Sequence, residues 1–243
     1  MRSGLYHPTV ARLTFRALLG RRRALVLLAL PVLLLLISVA VRLLTGADDA
    51  TANTVLGGFA LGTMVPLVGV VVGSGAIGSE IDDGSVVYLL AKPVSRATIL
   101  LTKLLVAVGV SAALCVVPVL LSGLVLAGGG QGIAVAYALA TLVACVAYGA
   151  VFLLLGVVTR HAVVFGLVYA LVWEAFVGNL VPGARTLSVQ QWALAVGGRA
   201  AADSAVTSDV GLPLAVVLLV AVTVLATWYA VRRLRTHTVS GEE

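Results

Sequence analysis

Between Leu104 and Thr159 the chain carries no charged residue. A bilayer-crossing helix needs about 20 apolar residues, so this run is too long for one crossing and suits two. Ala127-Gly-Gly-Gly-Gln-Gly132 is the one place that divides it sensibly. The run therefore predicts spans over 97–126 and 133–158. The rest of the chain has the same character. It is 61% hydrophobic and 11% charged, where soluble domains carry about 25% charged residues. Further uncharged stretches predict spans over 24–44 (interrupted late by Arg42), 54–78, 162–180 and 210–231. The expectation is an all-α membrane protein, with six transmembrane helices in a single domain over 1–243.

Lys and Arg placement orients such a chain, because cytoplasmic loops collect them. Of the 16 Lys and Arg residues, all but Arg42, Arg185 and Arg199 fall on the side of the N-terminus when the spans alternate. Both termini are then expected inside, which six spans satisfy. The net charge of +6 is accordingly a topology signal. The basic residues are dispersed over membrane edges, so no nucleic-acid partner is expected. The scarcity of Lys beside abundant Ala, Val, Leu and Arg points to a GC-rich bacterial genome, hence to the bacterial plasma membrane. The segment after Arg21-Arg22-Arg23 is long enough to span and no clear small-residue cleavage site follows, so no signal peptide is expected.

Before the first span, residues 8–22 predict an interfacial helix. Arg12 and Arg16 lie four apart on one narrow face, toward lipid headgroups, and apolar residues cover the rest. Trp228 and Tyr229 near the inner end of the last span read as interfacial anchors. Pro66 and Pro118 inside spans predict kinks. The pairs Gly58/Gly62 and Gly69/Gly73 predict close helix packing along the second span.

Enzyme chemistry finds no footing. Gly73-Ser-Gly-Ala-Ile-Gly78 has the spacing of a dinucleotide-binding turn. That turn needs a short strand before it and an acid about 20 residues on. Here nineteen uncharged residues precede it, and no acid lies near Thr98. The glycine run at 128–130 lacks the Lys-Ser/Thr of a phosphate loop. There is no Gly-x-Ser-x-Gly, no His-Glu-x-x-His and no Cys-x-x-Cys. Cys115 and Cys145 fall mid-span and read as small buried hydrophobes. His7, His161 and His237 are scattered at segment ends, so no metal site is expected.

The segment 79–92 predicts a short helix on the cytoplasmic side. Ser79 can act as its N-cap with Asp82 at the capping-box position, and Glu80, Asp82 and Asp83 suit the positive end of its dipole. Lys92 sits at its end, Pro93 stops it, and Ser95 caps the next span. Val86, Val87, Tyr88, Leu89 and Leu90 make its end apolar. Such a tip exposed to water is costly unless covered, which suits docking into a groove on a soluble partner.

The run Glu80-Ile-Asp-Asp-Gly-Ser-Val-Val-Tyr-Leu-Leu-Ala-Lys-Pro-Val-Ser-Arg-Ala-Thr-Ile-Leu-Leu-Thr-Lys103 resembles the first cytoplasmic loop of ABC-2 type ABC transporter permeases. An acid is followed by Gly-Ser, Leu-Leu, Pro-Val-Ser-Arg and Lys in that order. The amphipathic N-terminal helix, the six spans, the long connection after the fifth span and Tyr169-Ala-Leu-Val-Trp-Glu174 followed by Pro182-Gly183 are similar to that family too. The resemblance implies a permease subunit of a bacterial exporter that works as a dimer, with a second copy or a homologous permease. It implies two separate ATPase subunits, which bind ATP and Mg so that this chain needs no cofactor of its own. The 79–92 segment would be the coupling helix, contacting the ATPase through Glu80, Asp82, Asp83, Gly84, Ser85, Tyr88, Leu89, Leu90, Lys92, Pro93 and Arg96. Spans two and five would line the dimer interface and substrate path, with Gly62, Gly69, Trp173 and Glu174 as residues of the path or its outer gate.

Glu174 is the one acid inside a predicted span, and an intramembrane acid is a functional hypothesis by default. It can bind a cationic substrate, gate the outer exit, or accept backbone N–H bonds from nearby external helices. The connection 181–209, with Gln190, Gln191 and Trp192 among apolar residues, predicts short interfacial or re-entrant helices over the outer end. Two rivals remain. A self-contained secondary transporter predicts internal repeats and several mid-membrane charged sites, and the sequence displays neither. A membrane-bound enzyme predicts the catalytic constellation that was not found.

Overall fold

A computed structural model describes residues 8–18, 20–82, 96–128, 132–177, 184–201 and 205–236. All regular structure among them is helical. Helix α1 is Pro8–Leu18, α2 is Arg21–Thr45 and α3 is Asp49–Thr54. A π-helical segment, Val55–Met64 (π1), carries α3 without a break into α4, Val65–Asp82. Then come α5, Arg96–Ala127, and α6, Ile133–Val158. Helix α7, Ala162–Val168, continues as a second π-helical segment, Tyr169–Val177 (π2). Helix α8 is Val189–Gly197 and α9 is Leu212–Thr236.

Among the described residues, five helices are long and apolar enough to cross a membrane: Leu27–Thr45, Asp49–Ile77, Ala97–Ala127, Ile133–Val158 and Leu212–Leu234. The span expected over 162–180 is shorter. Its seven α-helical residues and nine π-helical ones reach roughly 20 Å, against a hydrocarbon thickness of about 30 Å. The six expected spans are therefore five full-length helices and one shorter one among the described residues.

Helix α6 is the axis of the bundle. It packs against α4, α5, α8 and α9. Its sequence explains why: Ala136, Ala140, Ala144, Ala147, Gly149 and Ala150 are all buried, and small side chains let neighbouring backbones approach where no hydrophobic driving force exists between lipid-dissolved helices. The α4 contact is tightest at Gly73, where an added Cβ would lie 2.8 Å from Phe152 Cβ and 3.3 Å from the Leu153 amide nitrogen. One turn earlier, Gly69 lies under Tyr148 and the Phe152 ring, and the two rings stack with centroids 5.7 Å apart. On α5, Gly123 meets Ala134 of α6 just as closely.

The four paired glycines of the second span do not behave alike. Gly69 and Gly73 receive α6, as close packing requires. Gly58 is exposed with nothing within 4 Å of an added Cβ, and Gly62 faces the side chain of Gln190 and the Gly57 carbonyl of its own segment rather than a neighbouring long helix. Pro66 has a clear local effect. Without an N–H it cannot bond the Gly62 carbonyl in α-helical fashion, and the wider π turn lies directly before it. Pro118 lies inside the unbroken α5.

Gly73–Gly78 is helical throughout, so its nucleotide-like spacing forms no turn. The helix also runs straight through Ser79 to Asp82. Ser79 is thus no N-cap, and Glu80 and Asp82 belong to the last turn of α4 instead of the first turn of a new helix. Arg96 is the first residue of α5. Asp83, Gly84, Ser85, Tyr88, Leu89, Leu90, Lys92 and Pro93 lie outside the described residues.

Helix α1 packs against α5 and α4 through Ala11, Thr14 and Leu18, a buried stripe at helical spacing. Leu13, Phe15, Arg12 and Arg16 remain exposed. The helix thus docks on the bundle and leaves two large apolar side chains and both arginines exposed, as a helix at a membrane interface would. On α9, the Arg232 guanidinium lies 5.2 Å from the Trp228 ring, and both Trp228 and Tyr229 are exposed as interfacial anchors would be. At the start of α3, Asp48 accepts from the Thr51 N–H at 2.8 Å and the Thr51 hydroxyl at 2.5 Å. Those bonds hold its carboxyl below the usual carboxylate range.

Gly73→Val should destabilise the protein by about 1–3 kcal/mol through overpacking, read as a lower unfolding midpoint in detergent. Gly58→Ala should leave the midpoint unchanged or slightly raised, since the site is open and Ala orders the unfolded chain less expensively. Equal losses at both positions would contradict the packing described.

Candidate functional site

At the end of the bundle away from residues 82 and 96, π1 and π2 touch each other, and the first turn of α8 lies on both. Long π-helical segments are rare and recur at functional sites. Here the geometry has a direct consequence for side chains. In an α-helix Tyr169 and Glu174, five residues apart, would point about 140° away from each other. In a π turn, whose hydrogen bonds run from i to i+5, residue i+5 comes round much nearer to residue i, and the Tyr169 hydroxyl donates to Glu174 Oε1 at 3.0 Å. The same spacing joins the Thr63 hydroxyl to the Gly58 carbonyl at 3.3 Å in π1.

Glu174 is 1% exposed. Besides Tyr169, it accepts from the Val189 N–H on Oε1 at 3.0 Å and from the Ser188 hydroxyl on Oε2. Ser188 and Val189 are the N-cap and first residue of α8. A carboxylate at a helix N-terminus satisfies an orphan backbone donor and faces the positive end of the dipole. Without these donors an acid so placed would be very unfavourable in an apolar bundle. The next residue, Gln190, extends to the other π segment, where its Nε2 donates to the Gly57 carbonyl at 2.8 Å. Gly62 makes room for it: an added Cβ would lie 3.3 Å from Gln190 Oε1 and 3.3 Å from the Gly57 carbonyl oxygen.

The surrounding residues tie the same region together. The Tyr137 hydroxyl of α6 donates to the Asn53 carbonyl at 3.3 Å, and Asn53 Nδ2 donates to the Ala205 carbonyl at 2.8 Å. Trp192 Nε1 donates to the Thr186 carbonyl at 2.8 Å. Gln191 Oε1 accepts from the Asp209 N–H at 3.2 Å, and Arg185 pairs with Asp209 at 3.2 Å. The connection expected to hold short helices has a 3₁₀ turn at Ala184–Leu187, then α8, then Gly198–Ala200.

Of the residues expected on a path or gate, Glu174 and Gly62 meet the first turn of α8. Gly69 lies deeper, against Tyr148 and Phe152, and Trp173 is half-buried on π2. Gln190 was not singled out by its sequence as a tie between elements, because nothing local marks a Gln as facing a carbonyl from a distant segment.

A second unforeseen residue lies toward the other end. Lys103 of α5, which closes the loop motif and was counted among the basic residues of the N-terminal side, is 1% exposed, and its Nζ donates to the Ala76 carbonyl of α4 at 2.7 Å. It bridges the two helices that lead into and out of residues 83–95. Cys115 and Cys145 are free and buried on α5 and α6, and no cluster of three or more His, Cys, Asp or Glu side chains occurs among the described residues.

The sequence model of the family described as ABC-2 family transporter protein matches residues 20–181. The chain belongs to this family. Comparison with curated proteins finds no match. Membership in the ABC-2 family makes the chain a permease component of an ABC transporter, a multi-pass membrane transport protein and not the catalytic subunit. The match runs from the start of α2 to just beyond π2. It therefore includes Glu174 and Lys103, and it stops before the α8 residues that Glu174 holds.

Glu174→Gln keeps the side-chain shape but turns one acceptor into a donor facing donors. A charge-assisted bond is worth about 1.5–3 kcal/mol, so the unfolding midpoint in detergent should fall by several degrees. An unchanged midpoint would mean that the carboxylate does not hold α8.

Proposed function

We propose that this chain is the membrane-spanning subunit of an ATP-driven exporter in a bacterial plasma membrane. It pairs with a second copy or a homologous permease, and it takes its energy from separate ATPase subunits that bind ATP and Mg. The observation that carries the reading is the family match over residues 20–181, which includes the loop motif at 80–103.

The geometry supports a route for the energy. α3, π1 and α4 form one continuous helical rod from Asp49 to Asp82. One end of that rod enters the segment with the apolar tip, and the other presents Gly57 and Gly62 to α8. A push on the 79–96 segment is then felt at the far end without passing through a flexible joint. Lys103 pins α5 to the same rod at Ala76, so both helices flanking the segment move together. The positive-inside distribution favours a cytoplasmic 79–96 segment and an external α8 junction. Substrate would leave at the junction, and the exposed apolar faces of α2, α7 and α9 would be covered by lipid and the partner permease.

Leu89→Asp with Leu90→Asp should abolish co-purification of a co-expressed ABC ATPase subunit that the parent protein retains, while membrane insertion and the unfolding midpoint stay near the parent values. Normal recovery of the complex, with normal ATP hydrolysis, would refute docking through this segment.

A further inference from the structure

The two ends of α8 are attached by different chemistry. Its first turn is tied by polar bonds: Ser188 and Val189 to Glu174 of π2, and Gln190 to Gly57 of π1. Its last turn is wedged against α6, where an added Cβ on Gly197 would lie 2.3 Å from the Ala136 carbonyl oxygen and 2.7 Å from Ala140 Cβ. The next residue, Gly198, is pressed against the Val206 carbonyl in the same way. These attachments differ in how they can open. Polar groups released from one another can be satisfied by water at little enthalpic loss. A close-packed contact that opens leaves unfilled space and loses its dispersion attraction.

We propose that α8 is a strap across this end of the bundle, with a hinge at Gly197–Gly198 and a latch made by Glu174 and Gln190. Both are positioning residues, which set where the strap lies. The π segments are the moving half of the latch. Gly57 and Glu174 are each aimed at α8 by π geometry. A turn of either segment that reverts to α-helical spacing rotates its latch group away, because the two helices differ by about one residue per turn. Gly62 is part of the device, since a side chain there occupies the place of the Gln190 amide. The proposal deepens the permease reading and rests on it for its purpose, as a strap at this end matters where substrate leaves. Its geometry does not depend on any ATPase.

The test uses full-length protein in proteoliposomes, with both native cysteines replaced by Ser. One reporter is Ala193→Cys, at a fully buried position in the middle of α8; the other is Ala144→Cys, equally buried in α6. A membrane-impermeant maleimide is added from the side opposite residues 82–96, with the latch intact and with Glu174→Gln plus Gln190→Leu. The expected result is a several-fold faster labelling at 193 on breaking the latch, with 144 remaining protected. Gly62→Val should act in the same direction at 193. Unchanged labelling at 193 would overturn the latch. Equal gains at 193 and 144 would overturn the strap as well, because the two residues would then be supporting the whole core. Normal ATPase recovery by the Leu89→Asp, Leu90→Asp variant would count against the permease coupling while leaving this labelling pattern intact.

Discussion

Phe152 of α6 lies over Gly73 of α4, and Tyr148 lies over Gly69. In a bilayer this contact has to be made by close packing, because lipid tails are as apolar as the helices they surround. Much follows from it. α4 is continuous with π1 and α3, so seating α4 on α6 also sets where the π1 end of the rod, with Gly57 and Gly62, meets α8. α6 in turn receives α5, α8 and α9, so the same helix that holds α4 holds the seat of α8. The surface of α2, α7 and α9 is left apolar and exposed, as expected of helices that meet lipid or a neighbouring subunit.

Buried polar residues in the regular helices, such as Ser38, Ser74, Thr102 and Ser111, bond back to the carbonyl four residues earlier, whereas those that join different elements gather mainly where the helices are irregular. Glu174, Tyr169, Ser188, Gln190 and Asn53 lie around π1 and π2, and each finds a hydrogen-bond partner there. Buried polar groups require partners. The π turns and the N-terminus of a short helix supply the free carbonyl and amide groups that such residues need. Toward the other end, Lys103 meets the same requirement with the Ala76 carbonyl.

Much of the fold was legible because charge-free length is a strong signal. The break at 127–132, the helices on either side and the existence of the N-terminal helix α1 could all be placed from hydropathy and charge alone. Ser79 was misread because a capping-box pattern is local, and the continuing helix that overrides it depends on how α4 packs. The four glycines of the second span looked equivalent because spacing does not reveal which face a neighbour approaches. Glu174 could be marked as exceptional, but its partners could not be named: α-helical periodicity separates Tyr169 from it, and Ser188 and Val189 come from a different element.

Composition and charge alone thus determined the solvent of this protein, its helical class and, through the loop motif, its family. These are properties of single segments, set by the free energy of transferring each one into a bilayer. Tertiary structure alone decided that α6 is the axis, that Lys103 is buried, and that Glu174 and Gln190 hold α8 from two sides. Those features arise from contacts between distant residues and from a change of helical register, and neither leaves a periodic trace in the sequence.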